Sequence, residues 1–139
     1  MSDLRNPIPA FGPPPTTEDL ANMAERALAT IPARLARHVH GIGIAIEDMA
    51  DEDTLEELDI DSAWDLTGLY RGTPLTERSV SDPTREPDLI FLFREPILLE
   101  WIETGEDLYD LVRNVVIHEI AHHFGFSDAD IEAIEREME

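Results

Sequence analysis

The feature that most constrains the fold lies near the C-terminus, where residues 111–128 carry the pattern H-E-x-x-H-x-x-G-x-x-D. His118 and His122 lie four residues apart, so on a helix they share one face at successive turns. Two imidazoles placed in this way can bind one tetrahedral Zn²⁺, and Glu119 beside them can act on water in an open coordination position. The spacing therefore predicts a zinc site with Glu119 as its base.

The third ligand of that site has more than one interpretation. Gly125 suits the left-handed residue at a helix C-terminus, after which a sharp turn can bring Asp128 to the metal. Asp128 also suits the first turn of a following helix, where a carboxylate meets the positive end of the helix dipole. No His follows His123, and a ligand from Glu132 or Glu135 would need an awkward approach. We expect Asp128 to be the ligand.

The residues before the motif predict that its helix is central and largely buried. Leu108, Leu111 and Val115 belong to an apolar stripe that continues, by the same spacing, to the motif. Thr104 is the predicted N-cap of this helix. His123 lies about 100° from the ligand direction. It either supports the ligands through a hydrogen bond or has a direct role as a donor.

Two segments have the pattern of β-strands. Val39–Glu47 alternates isoleucine with glycine or alanine. The second segment consists of Leu89, Ile90, Phe91, Leu92 and Phe93. Because Pro87 and Pro96 border this second run, it is predicted to be an edge strand. We expect its five residues to pair with an extended peptide substrate.

Gly68–Arg78 is predicted to be a loop because of its glycines and its proline. Within it, Tyr70 is either a hydrogen-bond donor to a transition state or a residue of ordinary turn structure. At the other end of the chain, residues 1–15 are rich in proline and are predicted to form an extended arm. Residues 16–139 are predicted to form a single domain.

The composition excludes several classes of protein. A net charge of −21 repels phosphate backbones, and the ten basic residues are scattered, so we expect no nucleic-acid partner. The chain has no cysteine, which excludes disulfides and thiolate zinc sites. No apolar run is long enough to span a membrane, and no secretory signal is visible. We expect a cytoplasmic monomer without membrane contact.

Three blocks of the sequence resemble the small bacterial zincin-like metallopeptidases: Gly68–Ser79, Asp88–Phe93 and the block H-E-I-A-H-H-F-G-F-S-D that begins at His118. The resemblance implies an α+β fold in which a short mixed sheet packs against helices, including a central H-E-x-x-H helix. It also implies Zn²⁺ as the cofactor, His118 and His122 as ligands, Glu119 as the base and Asp128 as the third ligand. Larger metzincin-type enzymes place a Met-containing turn beneath the metal, and this chain has no equivalent.

The leading functional hypothesis is zinc-dependent hydrolysis of a peptide or protein substrate, with Glu119 moving the proton. The alternative is a metal-stabilised binding or regulatory domain with little or no hydrolytic activity. A metal-dependent RNA nuclease with three His ligands is disfavoured, because the third His and a basic surface are both missing. A two-His-one-carboxylate iron site is also compatible with the ligand types, but Glu119 beside the first His favours hydrolysis.

Overall fold

A computed structural model describes residues 13–39, 41–72 and 88–137 of the chain. These ranges contain six α-helices, a short 3-10 helix at Ala63–Asp65 and three β-strands, which confirms the predicted α+β class. The helices are α1 (Thr17–Leu28), α2 (Ala33–Ala36), α3 (Glu52–Leu58), α4 (Arg94–Thr104), α5 (Leu108–His123) and α6 (Asp128–Glu137). The strands are β1 (Gly43–Glu47), β2 (Gly68–Arg71) and β3 (Leu89–Phe93). None of the described helices combines the length and the hydrophobicity that crossing a bilayer would require.

The three strands form one mixed sheet with β3 in the middle. β1 runs parallel to β3, and β2 runs antiparallel to β3 on its other side. The prediction that β3 is an edge strand is therefore wrong. Proline removes a backbone donor only at its own position, and Pro96 lies beyond the sheet in the first turn of α4. The strand residues keep their own N–H groups, so both sides of β3 can be paired.

β2 occupies the first part of the segment that was predicted to be a loop. Gly68–Arg71 pairs with β3, so the loop prediction is wrong for these four residues, while residues 73–78 lie outside the described ranges. Gly68 lies close against α5. A Cβ atom added to Gly68 would stand 2.6 Å from Cγ1 of Val115 and 3.3 Å from Cγ of Glu119. Glycine is needed here because the strand backbone passes so near the helix.

The residue that caps the start of α5 is not the one predicted. Thr104 ends α4, and its hydroxyl donates a hydrogen bond to the carbonyl of Glu100 at 2.8 Å. Gly105 follows in the left-handed region, with φ of 72°, and stops α4. Asp107 is the N-cap of α5, and its carboxylate accepts a hydrogen bond from the N–H of Asp110 at 3.1 Å. The predicted cap at Thr104 is wrong because α4 extends through that residue.

α5 is the central element of the hydrophobic core and packs against α1 and the sheet. Its predicted apolar stripe is buried, which confirms that the helix is central. The buried residues of α5 are Leu108, Leu111, Val112, Val115, Val116, Ile117, Ile120 and Ala121. This burial holds the end of α5, which carries the H-E-x-x-H motif, in a fixed position relative to β2.

The described chain begins just before α1. Thr16 caps α1 in a reciprocal pair of hydrogen bonds with Asp19. The Nε of Arg94 donates a hydrogen bond to the carbonyl of Pro15 at 2.8 Å, which ties this end of the chain to α4. Residues 1–12 of the predicted arm lie outside the described ranges.

Candidate metal centre

The last turns of α5 bring His118 and His122 together. Their Nε2 atoms lie 2.9 Å apart, and their ring planes are inclined at 61° with the ring centroids 4.4 Å apart. Both side chains are exposed. At this distance one neutral imidazole can donate its N–H to the lone pair of the other. The two nitrogens that the four-residue spacing predicts to converge therefore do lie together.

A tight turn after α5 places Asp128 beside this pair. Gly125 has φ of 84°, and the N–H of Phe126 donates a hydrogen bond to the carbonyl of Ala121 at 2.9 Å. The chain then enters α6 at Asp128, whose Oδ1 lies 3.6 Å from Nε2 of His122. The left-handed turn predicted at Gly125 is present, and it brings the Asp128 carboxylate to the imidazole of His122.

The N-terminus of α6 is capped by residues other than Asp128. The hydroxyl of Ser127 accepts a hydrogen bond from the N–H of Asp130 at 3.1 Å, and Oδ2 of Asp130 accepts one from the N–H of Ser127 at 3.2 Å. The hydrogen bonds with Ser127 hold the pKa of the Asp130 carboxyl below its usual value. Asp128 lies in the first turn of α6 and takes no part in these two cap hydrogen bonds. Its carboxylate lies beside His122, where it can serve as an oxygen ligand of a metal.

The donor set fits zinc in its chemistry. Two nitrogen ligands at about 2.0–2.1 Å from a tetrahedral zinc ion stand about 3.3 Å apart, so the His118–His122 pair needs only a small opening. Within residues 13–39, 41–72 and 88–137, no group of three or more His, Cys, Asp or Glu side chains is arranged closely enough to hold a metal ion as it stands. The described site is a convergent His pair with Asp128 within reach of one member.

Glu119 points from α5 towards β2 and is half-buried. Burial raises the pKa of the Glu119 carboxyl to about 7, and the hydrogen bond that it accepts from the backbone N–H of Tyr70 acts in the opposite direction. A carboxyl with a pKa near neutrality can both accept and return a proton at physiological pH. A general base needs this capacity, and the role of Glu119 as the base stays a prediction.

Tyr70 and His123 lie next to the His pair and contact each other. Their rings are stacked, with centroids 3.9 Å apart and planes inclined at 20°. The hydroxyl of Tyr70 donates a hydrogen bond to Oδ2 of Asp88 at 2.6 Å. The interpretation of Tyr70 as part of a simple turn is wrong, because it lies in β2 with its ring buried. Tyr70 and His123 therefore lie together beside Glu119.

Two cavities meet at Glu119. One, of about 220 Å³, is lined by Leu69, Tyr70, Glu119, His122 and His123. The other, of about 330 Å³, is lined by Thr67, Glu100, Glu106, Leu111, Asn114, Val115, His118, Glu119 and Glu135. Glu119 therefore lines both of these cavities. Glu135 shares a cavity with His118, which keeps it as a rival for the third ligand.

The strand predicted to pair with substrate does not have a free edge. Leu89, Ile90, Phe91, Leu92 and Phe93 form β3, which is paired with β1 on one side and β2 on the other. An added peptide strand cannot use it without displacing one of these neighbours. In the described ranges, β2 is the strand beside Glu119, and it has β3 as its one partner strand.

Asp88 and Gly68 are the residues at this site that sequence reasoning missed. Asp88 directly precedes β3 and contacts Tyr70 only because β2 and β3 are neighbours. Gly68 matters because its backbone passes over Val115 and Glu119. The sequence signals for them were a charged residue just before one strand and a glycine at the start of another. Both features are common in proteins, so neither identifies a functional site.

A model of the zincin-like metallopeptidase family matches residues 39–138 of the chain. The chain belongs to this family. The match covers all three strands and the H-E-x-x-H helix, and it confirms the resemblance seen in the sequence. Family membership supports a hydrolase that uses zinc. No curated protein matches this zincin-like protein.

The third ligand of this zincin-like protein can be identified by a pair of substitutions. Loss of a residue that only supports a metal ligand costs about 10- to 100-fold in metal affinity. Asp128→Asn weakens an oxygen donor beside His122 itself, so it is expected to weaken zinc binding by at least that factor. Asp130→Asn disturbs the cap of α6 but is expected to leave zinc affinity unchanged. Competition with a chromophoric chelator at fixed pH measures both. Wild-type affinity in Asp128→Asn, with a loss in Glu135→Gln, would assign the ligand to Glu135 instead.

Proposed function

We propose that this protein is a zinc-dependent peptidase in which His118, His122 and Asp128 hold the metal and Glu119 is the general base. The observation that carries the proposal is the placement of Glu119. Its half-buried carboxyl lies one residue from the converging His pair, accepts a hydrogen bond from β2 and borders two cavities. Few roles other than proton transfer explain a carboxyl kept in such a place.

Zinc bound by this donor set supplies Lewis-acid chemistry, which polarises a carbonyl and makes water acidic near neutral pH. Glu119 accepts the proton of the attacking water and later donates it to the leaving amine. The Tyr70 N–H fixes the carboxyl in the position from which it does both. In the metal-free protein, burial raises the proton affinity of the Glu119 carboxyl.

The outer edge of β2 is the proposed binding place for an extended substrate. In an antiparallel pair, alternate residues point their backbone groups away from the partner strand. The N–H of Phe93 bonds to the carbonyl of Thr67, so by alternation the backbone groups of Gly68 and Tyr70 point away from β3. Because the Tyr70 N–H is bonded to the Glu119 carboxyl, a peptide would pair with this edge at Gly68. This edge faces Glu119, and a peptide paired to it would pass the base.

The competing function is a metal-stabilised binding or regulatory domain. It rests on the sequence, which lacks the Met-containing turn that larger metzincin-type enzymes place beneath the metal. In that case zinc would raise the melting temperature of the protein without any turnover.

A diverse peptide library, analysed by mass spectrometry, distinguishes the two functions. Zinc-loaded protein is expected to cut peptides at defined positions, and protein stripped with a chelator is expected to lose these cuts and regain them with added zinc. The melting temperature of each sample is measured in parallel. Zinc-dependent stabilisation without any cut would reject the peptidase and favour the binding domain.

A further inference from the structure

Tyr70 is held at three points, two of them on α5 and one at the entrance of β3. Its backbone N–H donates to the carboxyl of Glu119 on α5. Its ring stacks on His123 at the end of the same helix, with centroids 3.9 Å apart. Its hydroxyl donates to Oδ2 of Asp88, at the entrance of β3, at 2.6 Å. The residue therefore joins the sheet to the part of α5 that carries the site.

The hydrogen bond to Asp88 anchors the hydroxyl end of a ring that also stacks on His123 and meets Phe124 edge-on, with centroids 5.9 Å apart. Only 8% of Tyr70 is exposed, and a buried phenol hydroxyl needs a partner. An O–H···O⁻ bond of 2.6 Å is in the range of the strong, charge-assisted class. A stacked pair of rings, by contrast, tolerates sliding of one ring over the other. Loss of Asp88 removes the directional contact at the hydroxyl end, so we expect the ring to shift relative to His123.

Space for the Asp88 carboxylate is left by a glycine. A Cβ atom added to Gly72 would lie 3.2 Å from Cγ, Oδ1 and Oδ2 of Asp88. Gly72 follows β2 directly, two residues after Tyr70, so the strand that carries the phenol also leaves room for its acceptor. Gly72, Asp88 and Tyr70 thus form one structural unit behind the site.

We propose that Asp88 is a positioning residue of this site, which acts through the Tyr70 hydroxyl to fix the Tyr70 N–H against Glu119 and the Tyr70 ring against His123. Its catalytic consequence rests on the proposed peptidase function. Its structural consequence does not, because the three contacts are made by the chain itself. Asp88 needs no contact with substrate or metal for this role.

Nuclear magnetic resonance of the zinc-free protein tests the structural part directly. The Tyr70 ring, stacked at 3.9 Å, shifts the resonances of the His123 ring protons upfield. The hydrogen bond to the Glu119 carboxyl shifts the resonance of the Tyr70 amide proton. Asp88→Ala is expected to move both sets of resonances, while Asp88→Asn, which keeps an oxygen acceptor, retains them. Asp65→Ala, at an exposed position in the 3-10 helix, is the matched control and leaves them unchanged. Unmoved resonances in folded Asp88→Ala would overturn the proposal.

Tyr70→Phe removes the same hydrogen bond from its other end and provides the test if Asp88→Ala does not fold. It is expected to move the His123 resonances, because the ring remains but loses its anchor. Tyr109→Phe removes the hydroxyl of the other tyrosine in the chain and is expected to leave them in place. Unmoved His123 resonances in Tyr70→Phe would equally overturn the proposal.

Kinetics test the catalytic part on a peptide that the zinc-loaded protein cuts. Asp88→Ala is expected to lower kcat about 10- to 100-fold, as loss of an outer partner does, with KM and zinc content close to wild type. Asp88→Asn is expected to restore most of kcat, because asparagine keeps an oxygen that accepts the Tyr70 hydroxyl. This recovery links the loss of kcat to the hydrogen bond and not to a general loss of stability. An unchanged kcat in Asp88→Ala would overturn the positioning role. If wild type cuts nothing, the peptidase function fails, and the resonances still decide the role of Asp88.

Discussion

Glu119→Gln is expected to lower kcat/KM for peptide hydrolysis about 10²- to 10⁴-fold, the range that a positioned general base contributes. Glutamine keeps the size of the side chain and an oxygen that can accept the Tyr70 N–H bond, so the structure of the site should be retained. What the amide lacks is the capacity to take a proton from water and return it to the leaving amine. The loss is therefore expected in kcat, with KM little changed.

The measurement compares initial rates for one cleaved peptide, with zinc content determined on the same samples. Glu103→Gln, an exposed position on α4, is the matched control and is expected to hydrolyse the peptide as wild type does. Equal zinc in all three samples separates loss of the base from loss of the metal. Wild-type hydrolysis by a fully metallated Glu119→Gln protein would reject Glu119 as the base.

The parts of the site that follow from short sequence spacing could be predicted. His118 and His122 converge because a helix places residues four apart on one face, whatever surrounds it. Asp128 approaches His122 because Gly125 permits the left-handed turn that reverses the chain. Both predictions depend on local geometry, and local geometry is what the sequence states most directly.

The parts that depend on distant pairing were not predictable. Whether β3 lies at an edge or in the middle depends on two partners, β1 and β2, that are far from it in sequence. The flanking prolines limit only the ends of the strand. The contact of Tyr70 with Asp88 likewise needs the antiparallel register of β2 and β3, which no local pattern encodes.

Competition between two suitable N-cap residues caused the error at the start of α5. Thr104 and Asp107 are both suitable N-cap residues, three positions apart. The choice between them depends on where α4 ends, and Gly105 ends it one residue after Thr104. Asp107 is then the first residue free to cap α5. The position at which α4 ends therefore decides where α5 begins, and the two candidate N-cap residues alone leave that start ambiguous.

The same substitution, Glu119→Gln, is expected to stabilise the zinc-free protein at alkaline pH. The folded-state pKa of Glu119, about 7, lies above the ordinary value of 4.5, because the ionised carboxyl is poorly solvated. Below 4.5 the carboxyl is protonated in both the folded and the unfolded state, and it costs nothing. As pH rises through 4.5 and on to about 7, ionisation favours the unfolded chain, so wild-type stability falls.

The full shift, from 4.5 to about 7, corresponds to about 3 kcal/mol in the free energy of unfolding. Glutamine is uncharged at every pH and avoids this cost. Urea denaturation in the presence of a chelator is expected to find the two proteins about equally stable below pH 4.5 and Glu119→Gln more stable above pH 7. Glu103→Gln corrects for the removal of one negative charge from a chain with a net charge of −21. A difference between Glu119→Gln and wild type that does not change with pH would mean that the Glu119 carboxyl titrates as an ordinary surface group. Keeping the base half-buried costs stability. Glu119→Gln should therefore lower the rate of hydrolysis and raise the stability of the protein.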